Sequence, residues 1–138
     1  MPVTGHLLGV RGGVTYSGPL MDFRARRAFA RMRDEVEEEG AEFALDHVKS
    51  SFHRNFKNPT GFYESNVRIH NTSAGPEVWD GGMAGPVYGP WLEGVGSRNS
   101  VTRFKGYHAF RHAAMALEAR IEGIADRVFN LRTRGELE

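Results

Sequence analysis

Hydrophobic residues recur along the chain with helical and with strand-like periods, and the longest helical pattern runs from about Asp22 to Phe52. Its apolar members follow one another at steps of about three or four residues, with a skip near Gly40. These members are Phe29, Met32, Val36, Phe43, Val48 and Phe52. The pattern predicts a long N-terminal helix with Asp22 as its N-cap, and Gly40 is the place where it would kink or split.

A second helical pattern closes the chain, and its steps alternate between three and four residues without interruption. Its members are Tyr107, Phe110, Ala114, Leu117, Ile121, Ile124, Val128 and Leu131. The stripe predicts an amphipathic C-terminal helix that packs on the sheet or on the first helix, and a coiled coil with another chain is the alternative. Residues 131–138 are predicted to be a frayed tail.

Short strand-like segments occupy much of the remaining chain. Residues 7–16 are typical of a short strand or hairpin, and residues 62–71 alternate as in a strand with one wet face. Residues 77–80 and 86–88 are further short strands, and Asn58–Gly61 is a strong turn signal. Together these segments predict a small antiparallel sheet.

The order of these elements predicts an α+β fold with a long N-terminal helix, a small antiparallel sheet, a glycine-rich loop and a C-terminal amphipathic helix. The length of 138 residues fits a single domain, in which residues 1–18 form an N-terminal arm or short hairpin. The chain has no cysteine, which excludes disulfides and cysteine metal sites. It also has no apolar run of the ~20 residues that cross a bilayer and no secretory leader pattern, so we expect no membrane association.

Charges are segregated along the long N-terminal helix, with arginines in its first half and acids in its second half. This order opposes the helix macrodipole, and it places like charges such as Arg27 and Arg31 four residues apart. One interpretation is a solvated face with segregated charges. The other is a contact between neighbouring subunits, in which Arg27 and Arg31 of one copy face Glu38 and Glu42 of the next. Such a head-to-tail contact is heterologous and closes rings.

Patterns that support catalysis or metal binding are weak in this sequence. His108 and His112 have helical i,i+4 spacing, but the segment lacks the glutamate of H-E-x-x-H and carries Arg111 instead. Ser97 has no identifiable base beside it, and residues 94–99 do not complete a phosphate-binding glycine motif. No pair of carboxylates is singled out. We therefore expect no enzyme activity, no metal and no cofactor.

The segment from residue 81 to residue 111 is rich in glycine and interleaves basic with aromatic side chains. This composition fits nucleic-acid binding, and it also fits a protein-binding surface, because arginine and aromatic residues lead interface hot spots. The acidic run from Asp34 to Asp46 modestly disfavours nucleic acid. The basic and aromatic members are Arg98, Arg103, Phe104, Lys105, Tyr107 and Arg111.

Three blocks and a closing amphipathic helix resemble the tail-completion, or head–tail joining, family of small neck proteins of long-tailed bacteriophages, especially versions from phages of actinobacteria. The blocks are PTGFYES (59–65), VYGPWLEGVGSRN (87–99) and RFKGYHAFR (103–111). Tyr88, Leu92 and Glu93 match the family's Tyr-x-x-x-Leu-Glu-x-Gly-like segment, and Gly94 follows Glu93 directly. The resemblance covers about residues 18–130. Many relatives continue with a proline-rich Phe-Leu-Arg-Pro run, where this chain has Arg-Phe-Lys-Gly-Tyr.

The resemblance implies a structural virion protein without catalysis. Such proteins form homo-oligomeric rings, here expected to be hexameric or dodecameric, that join the tail tube and its terminator to the head connector. Phage DNA passes through the lumen, and assembly takes place in the cytoplasm of the bacterial host. A tail terminator or a head-side stopper is the alternative within this class. A nucleic-acid-binding protein that uses residues 98–111 is the alternative from another class.

The resemblance also indicates which residues would contact partner proteins. Aromatic side chains would be the hydrophobic anchors, and the two arginines would fix orientation by charge-assisted hydrogen bonds. The predicted partner interface comprises Tyr88, Trp91, Leu92, Glu93, Arg98, Arg103, Phe104 and Tyr107.

Overall fold

Within the residues that it describes, the computed structural model contains two long helices, α1 (Arg24–Asn55) and α4 (Ala109–Val128), and two two-stranded antiparallel sheets. The residues that it describes are 3–6, 13–16, 18, 21–58, 60–81 and 88–138. The predicted α+β fold class is confirmed. The chain forms two compact units, one of residues 1–36 with 123–138 and the other of residues 37–122.

The first unit contains a hairpin of strands β1 (Val3–His6) and β2 (Gly13–Tyr16), in which Val3 lies opposite Tyr16. A hairpin is therefore present, but only its second strand falls within residues 7–16, for which the sequence predicted a short strand or hairpin. Residues 7–12 lie outside the described residues.

Helix α1 begins in the first unit just after Asp22. The Asp22 carboxylate accepts a hydrogen bond of 3.0 Å from the backbone N–H of Arg24, so it satisfies one of the first-turn donors as predicted. This backbone hydrogen bond and the neighbouring Arg24 guanidinium lower the pKa of Asp22. The buried positions of this part of α1 are Ala25 and Ala28, whereas Phe29, predicted for the apolar stripe, is 48% exposed.

The C-terminal end of the first unit departs from regular α-helix. Helix α4 continues into a π-helix at Phe129–Thr133 and a short helix α5 at Arg134–Leu137, so the predicted frayed tail is helical as far as Leu137. A π turn adds a residue, and the next buried position after Val128 is therefore Thr133. The prediction that Leu131 continues the apolar stripe is wrong, because the extra residue leaves that side chain 72% exposed.

In the second unit α1 runs past Gly40 without interruption, and the expected split does not occur. Gly40 is buried, and a Cβ atom there would lie 3.4 Å from a methyl group of Leu117. Gly40 thus lies where α4 meets α1, and a methyl group in its place would make about an ordinary van der Waals contact. On α4 the buried position is Ala113, not the predicted Ala114, which is exposed.

The segment predicted as one strand over residues 62–71 is a short helix followed by a strand. Helix α2 (Phe62–Asn66) precedes strand β3 (Arg68–Thr72), which pairs with strand β4 (Gly75–Trp79). The helical turn forms because the Ser65 hydroxyl and the Asn66 amide both donate to the carbonyl of Phe62. The strand predicted at 77–80 is confirmed by β4. Of the strand predicted at 86–88, residues 86 and 87 lie outside the described residues.

The core of the second unit is aromatic. Phe52 is fully buried, and its ring meets the ring of Tyr63 edge-on at a centroid distance of 4.8 Å. The Tyr63 hydroxyl donates to the Asp80 carboxylate at 2.9 Å, and burial together with this hydrogen bond raises the pKa of Tyr63. The buried residues of this cluster are Val48, Phe52, Tyr63, Val67, Leu92, Ala109 and Ala113.

Candidate protein-docking site

Residues 88–108, which we call the docking block, are folded into two short helical turns where the sequence predicted a loop and, at 88, the end of a strand. Helix α3 (Gly89–Glu93) starts with Pro90 in its first turn and ends at Gly94, which has φ of 95°. A 3₁₀ turn follows at Ser97–Ser100. Proline at the start and glycine just after the end are the residues that a short helix prefers at those positions.

Asn99 holds the two turns together from the inside. Its side-chain amide donates to the backbone carbonyls of Trp91, at 3.0 Å, and Phe104, at 3.2 Å. Its side-chain oxygen accepts from the backbone N–H of Gly96 at 3.0 Å. The residue is 5% exposed, so these hydrogen bonds are largely shielded from water. Asn99 thereby fixes the shape of the block.

Two glycines allow the two ends of the block to touch. A Cβ atom on Gly106 would lie 2.3 Å from the Cα atom of Gly94, and both residues have φ of 95°. Beside this contact the backbone N–H of Tyr107 donates to the carbonyl of Leu92 at 2.6 Å. Both positions therefore need glycine, because a side chain would clash with the opposite backbone and is disfavoured at this positive φ.

Glu93 connects the block to helix α4. Its two carboxylate oxygens accept the backbone N–H groups of Phe110 and Arg111, each at 3.0 Å. These donors belong to the first turn of α4, where a negative charge is also favoured by the helix dipole. The sequence predicted Glu93 at the partner interface, whereas in the structure its carboxylate caps a helix of the same chain.

Leu92 and Tyr107 also point inward. Leu92 is 6% exposed and belongs to the core of the second unit. The Tyr107 ring packs edge-on against Phe56, at a centroid distance of 5.8 Å, and against Phe104, at 4.9 Å. These side chains brace the block within the chain.

The outer side of the block carries a cleft of about 750 Å³. Its lining includes Tyr88 and Trp91, which are 38% and 36% exposed, and the exposed Arg98. The Trp91 ring rests on Phe104 at a centroid distance of 4.6 Å, so its orientation is fixed from behind. The cleft is lined by Tyr88, Pro90, Trp91, Gly96, Ser97 and Arg98.

The cations of this segment differ in their availability. Lys105 is engaged, because its ammonium group donates to the backbone carbonyls of Asn99 at 2.7 Å and Ser100 at 3.4 Å. Arg98, Arg103 and Arg111 are exposed, and none of them has an ion pair within the described part of the chain. The outer surface is therefore aromatic and positively charged, which are the properties of an interface anchor.

The residues predicted for the contact between subunits fall into both compact units. Arg27 and Arg31 lie in the first unit, and the Arg31 guanidinium already forms an ion pair with Glu136 of the same unit. Glu38 and Glu42 lie in the second unit on the exposed side of α1.

The two histidines with metal-like spacing are close neighbours at the start of α4. The ring centroids of His108 and His112 are 6.2 Å apart. Among the described residues, no group of three or more His, Cys, Asp or Glu side chains is placed to hold a metal ion.

Asn99 is the residue of this site that sequence reasoning missed. The sequence gives a weak signal for it, since Asn99 ends the VYGPWLEGVGSRN block, but an asparagine that braces a turn from inside looks the same in a sequence as one on the surface. Of the eight predicted interface residues, the structure brings Tyr88, Trp91 and Arg98 together around one cleft. Arg103 is exposed on the same block.

Comparison of the chain with models of protein families, with curated proteins and with solved structures finds no match. None of the helices in the described ranges combines the length and the apolar character needed to cross a bilayer.

Proposed function

We propose that this chain is a structural neck protein of a tailed bacteriophage, of the tail-completion type, that forms a ring at the head–tail interface. In this role it joins the tail tube and its terminator to the head connector, and DNA passes through its lumen. The type of assembly is suggested by the sequence resemblance of residues 59–65, 87–99 and 103–111 to that family.

The observation that carries a docking role is the construction of the block itself. Trp91 is 36% exposed although a tryptophan is costly to leave in water, and the cleft beside it is lined by Tyr88 and by Arg98, which has no ion pair among the described residues. The turn beneath them is fixed by the three hydrogen bonds of Asn99. A surface that is already ordered loses little conformational entropy on binding, which favours tight association.

The nucleic-acid alternative for residues 98–111 is less well supported by the same geometry. Stacking of bases needs free aromatic faces, but Phe104 lies between Trp91 and Tyr107, and Tyr107 packs into the core cluster. Lys105 is bound to backbone carbonyls and is not available for a phosphate. A protein partner that covers Trp91 fits these constraints better.

A Trp91→Ala variant tests the proposed function. It is supplied during infection by a phage whose own copy of the gene is inactivated. Since Trp91 is 36% exposed and its ring packs on Phe104, we expect the variant to fold and to lose about 2–3 kcal/mol of unfolding free energy. We expect infected cells to accumulate filled heads and separate tails in place of joined particles, because the anchor of the docking surface is missing.

The matched control is Phe62→Ala, which removes an aromatic ring that is 61% exposed on helix α2, outside the block. This control should restore infectious particles as well as the unchanged protein does. Normal yields of joined particles with Trp91→Ala would refute the docking role of the block. Joined particles in the complete absence of the chain would refute the neck function itself.

A further inference from the structure

We propose that the docking block of one copy binds the acidic face of helix α1 in a second copy. We define the acidic face as Glu38, Glu42 and Asp46, which follow one another at steps of four residues. The proposal rests on the ring proposed above, because a ring needs a repeating contact between copies. It identifies the two surfaces that make this contact.

The docking block calls for an anionic occupant. Its one acid, Glu93, is bound to the backbone N–H groups that begin α4, so it does not neutralise the outer surface. Arg98 and Arg103 are exposed and have no ion pair within the described residues. A carboxylate can bind a guanidinium through two parallel hydrogen bonds, which makes it the ligand that fixes geometry best.

The cleft beside Arg98 suits a side chain that is apolar along its stem and charged at its end. The cleft is lined by the largely apolar side chains of Tyr88, Pro90 and Trp91 and by the cationic side chain of Arg98. A glutamate side chain has this composition, because two methylene groups precede its carboxylate. The cleft therefore fits a helix with exposed glutamates better than it fits a flat or uncharged surface.

The acidic face of α1 is a surface of this kind. Glu38, Glu42 and Asp46 are exposed, and none has an ion pair within the described residues. With a rise of ~1.5 Å per residue they span about 12 Å on one side of the helix. Like charges four residues apart repel one another, so bound cations would stabilise this helix.

Among the described side chains, no cation of the same copy forms an ion pair with this face. The acidic face and the docking block belong to the same compact unit, yet no ion pair joins them among the described side chains. The neighbouring Glu35 differs, because it pairs with Arg132 of its own chain at 3.1 Å.

The arginines at the start of α1 are weaker candidates for the basic half of the contact. Arg31 forms an ion pair with Glu136, so a second copy would have to displace that glutamate. Arg98 and Arg103 of the docking block have no such competitor among the described residues, and the block adds the apolar contact of Trp91. A contact between the docking block of one copy and the acidic face of the next is heterologous. Such a contact repeats from copy to copy and closes a ring when the rotation between copies permits.

Two charge-reversed variants test the contact, R98E/R103E and E38R/E42R, with sedimentation or light scattering over a concentration series at low salt. The first variant has an acidic block and an acidic face, and the second has a basic block and a basic face. Each alone should require about tenfold more protein to associate than the unchanged chain. Two exposed ion pairs contribute up to ~1 kcal/mol each, and tenfold in an equilibrium constant corresponds to about 1.4 kcal/mol.

An equimolar mixture of the two variants should associate again, because every contact in an alternating assembly then joins opposite charges. The matched control is R54E/R68E, which changes the net charge by the same amount at two exposed arginines outside the block. This control should associate like the unchanged chain. Rescue of E38R/E42R by R27E/R31E, with no rescue by R98E/R103E, would assign the contact to the start of α1 and overturn our proposal.

Other outcomes also overturn it. The proposal is overturned if the unchanged chain stays monomeric at its highest soluble concentration. It is also overturned if the equimolar mixture of the two charge-reversed variants stays dissociated. A short DNA duplex that binds the unchanged chain at low salt, but not R98E/R103E, would identify nucleic acid as the occupant of the block. The neck function is judged separately, by particle assembly in infected cells. If the chain and its variants associate as predicted but joined particles form in the absence of the chain, the neck function is refuted and the contact between copies is not.

Discussion

The substitution Glu93→Gln tests whether the docking block is held on helix α4 by charge. In the native chain both carboxylate oxygens accept backbone N–H groups, from Phe110 and from Arg111, each at 3.0 Å. Glutamine keeps the size of the side chain and one acceptor oxygen. Its NH₂ group, however, faces a second N–H donor, and the negative charge near the start of α4 is lost.

The expected magnitude follows from these contacts. A hydrogen bond to a charged group contributes about 1.5–3 kcal/mol, and removal of an N-terminal cap costs about 1 kcal/mol. Glu93 is half-buried, so water partly replaces the lost interaction and we expect about 1.5–2 kcal/mol. The unfolding entropy is ~2.1 cal/mol/K per residue, so for 138 residues this corresponds to a decrease in Tm of about 5–7 °C.

The assay combines thermal unfolding followed by circular dichroism with amide hydrogen exchange. The amides of Phe110 and Arg111 should exchange about ten to thirty times faster in the variant, because opening of this turn becomes easier by the same free energy. The control is Glu118→Gln, an exposed glutamate on the same helix with no ion pair among the described residues. If the two variants unfold within about 0.5 kcal/mol of each other, the capping role of Glu93 is wrong.

Two further predictions concern the interior of the second unit. Gly106→Ala should lower the unfolding free energy by about 3 kcal/mol or more, because the new Cβ would lie 2.3 Å from the Cα of Gly94. The control is Gly123→Ala on helix α4, where a Cβ would have nothing within 4 Å and should raise the unfolding free energy by up to about 1 kcal/mol. Both are measured by urea unfolding, and equal effects of the two substitutions would contradict the close approach of Gly106 and Gly94. Burial and the hydrogen bond to Asp80 raise the pKa of Tyr63, so the stability they contribute is present below the ordinary tyrosine pKa of about 10 and is lost as the pH rises above it. Between about pH 10 and 11 the unfolding free energy of the native chain should therefore fall with pH more steeply than that of Tyr63→Phe. The difference between the two slopes is up to ~1.4 kcal/mol per pH unit, and equal slopes would show that Tyr63 ionises normally in the folded chain.

The sequence by itself determined the class of fold and the approximate extent of both long helices. Their apolar residues recur at helical steps over many turns, and such a signal is local, because it depends on residues within one segment. Strand β4 was also predicted from its local pattern, and the Asp22 carboxylate was recognised as a partner of the first turn of α1. The sequence predicted a glycine-rich loop within residues 81–111, but it did not indicate the two short helical turns of the docking block.

Only the tertiary structure decided which residues of the docking block are exposed to solvent and which are buried in the chain. Leu92 is a core residue, Glu93 caps a helix and Gly94 makes a close backbone contact, although the sequence suggested that the first two contact a partner. These roles depend on Phe110, Arg111 and Gly106, which lie 12 to 18 residues further along the chain. Local periodicity carries no information about which distant backbone groups will meet. The exposure of Leu131 was decided similarly, because one π turn rotates every later side chain and leaves no periodic mark in the sequence.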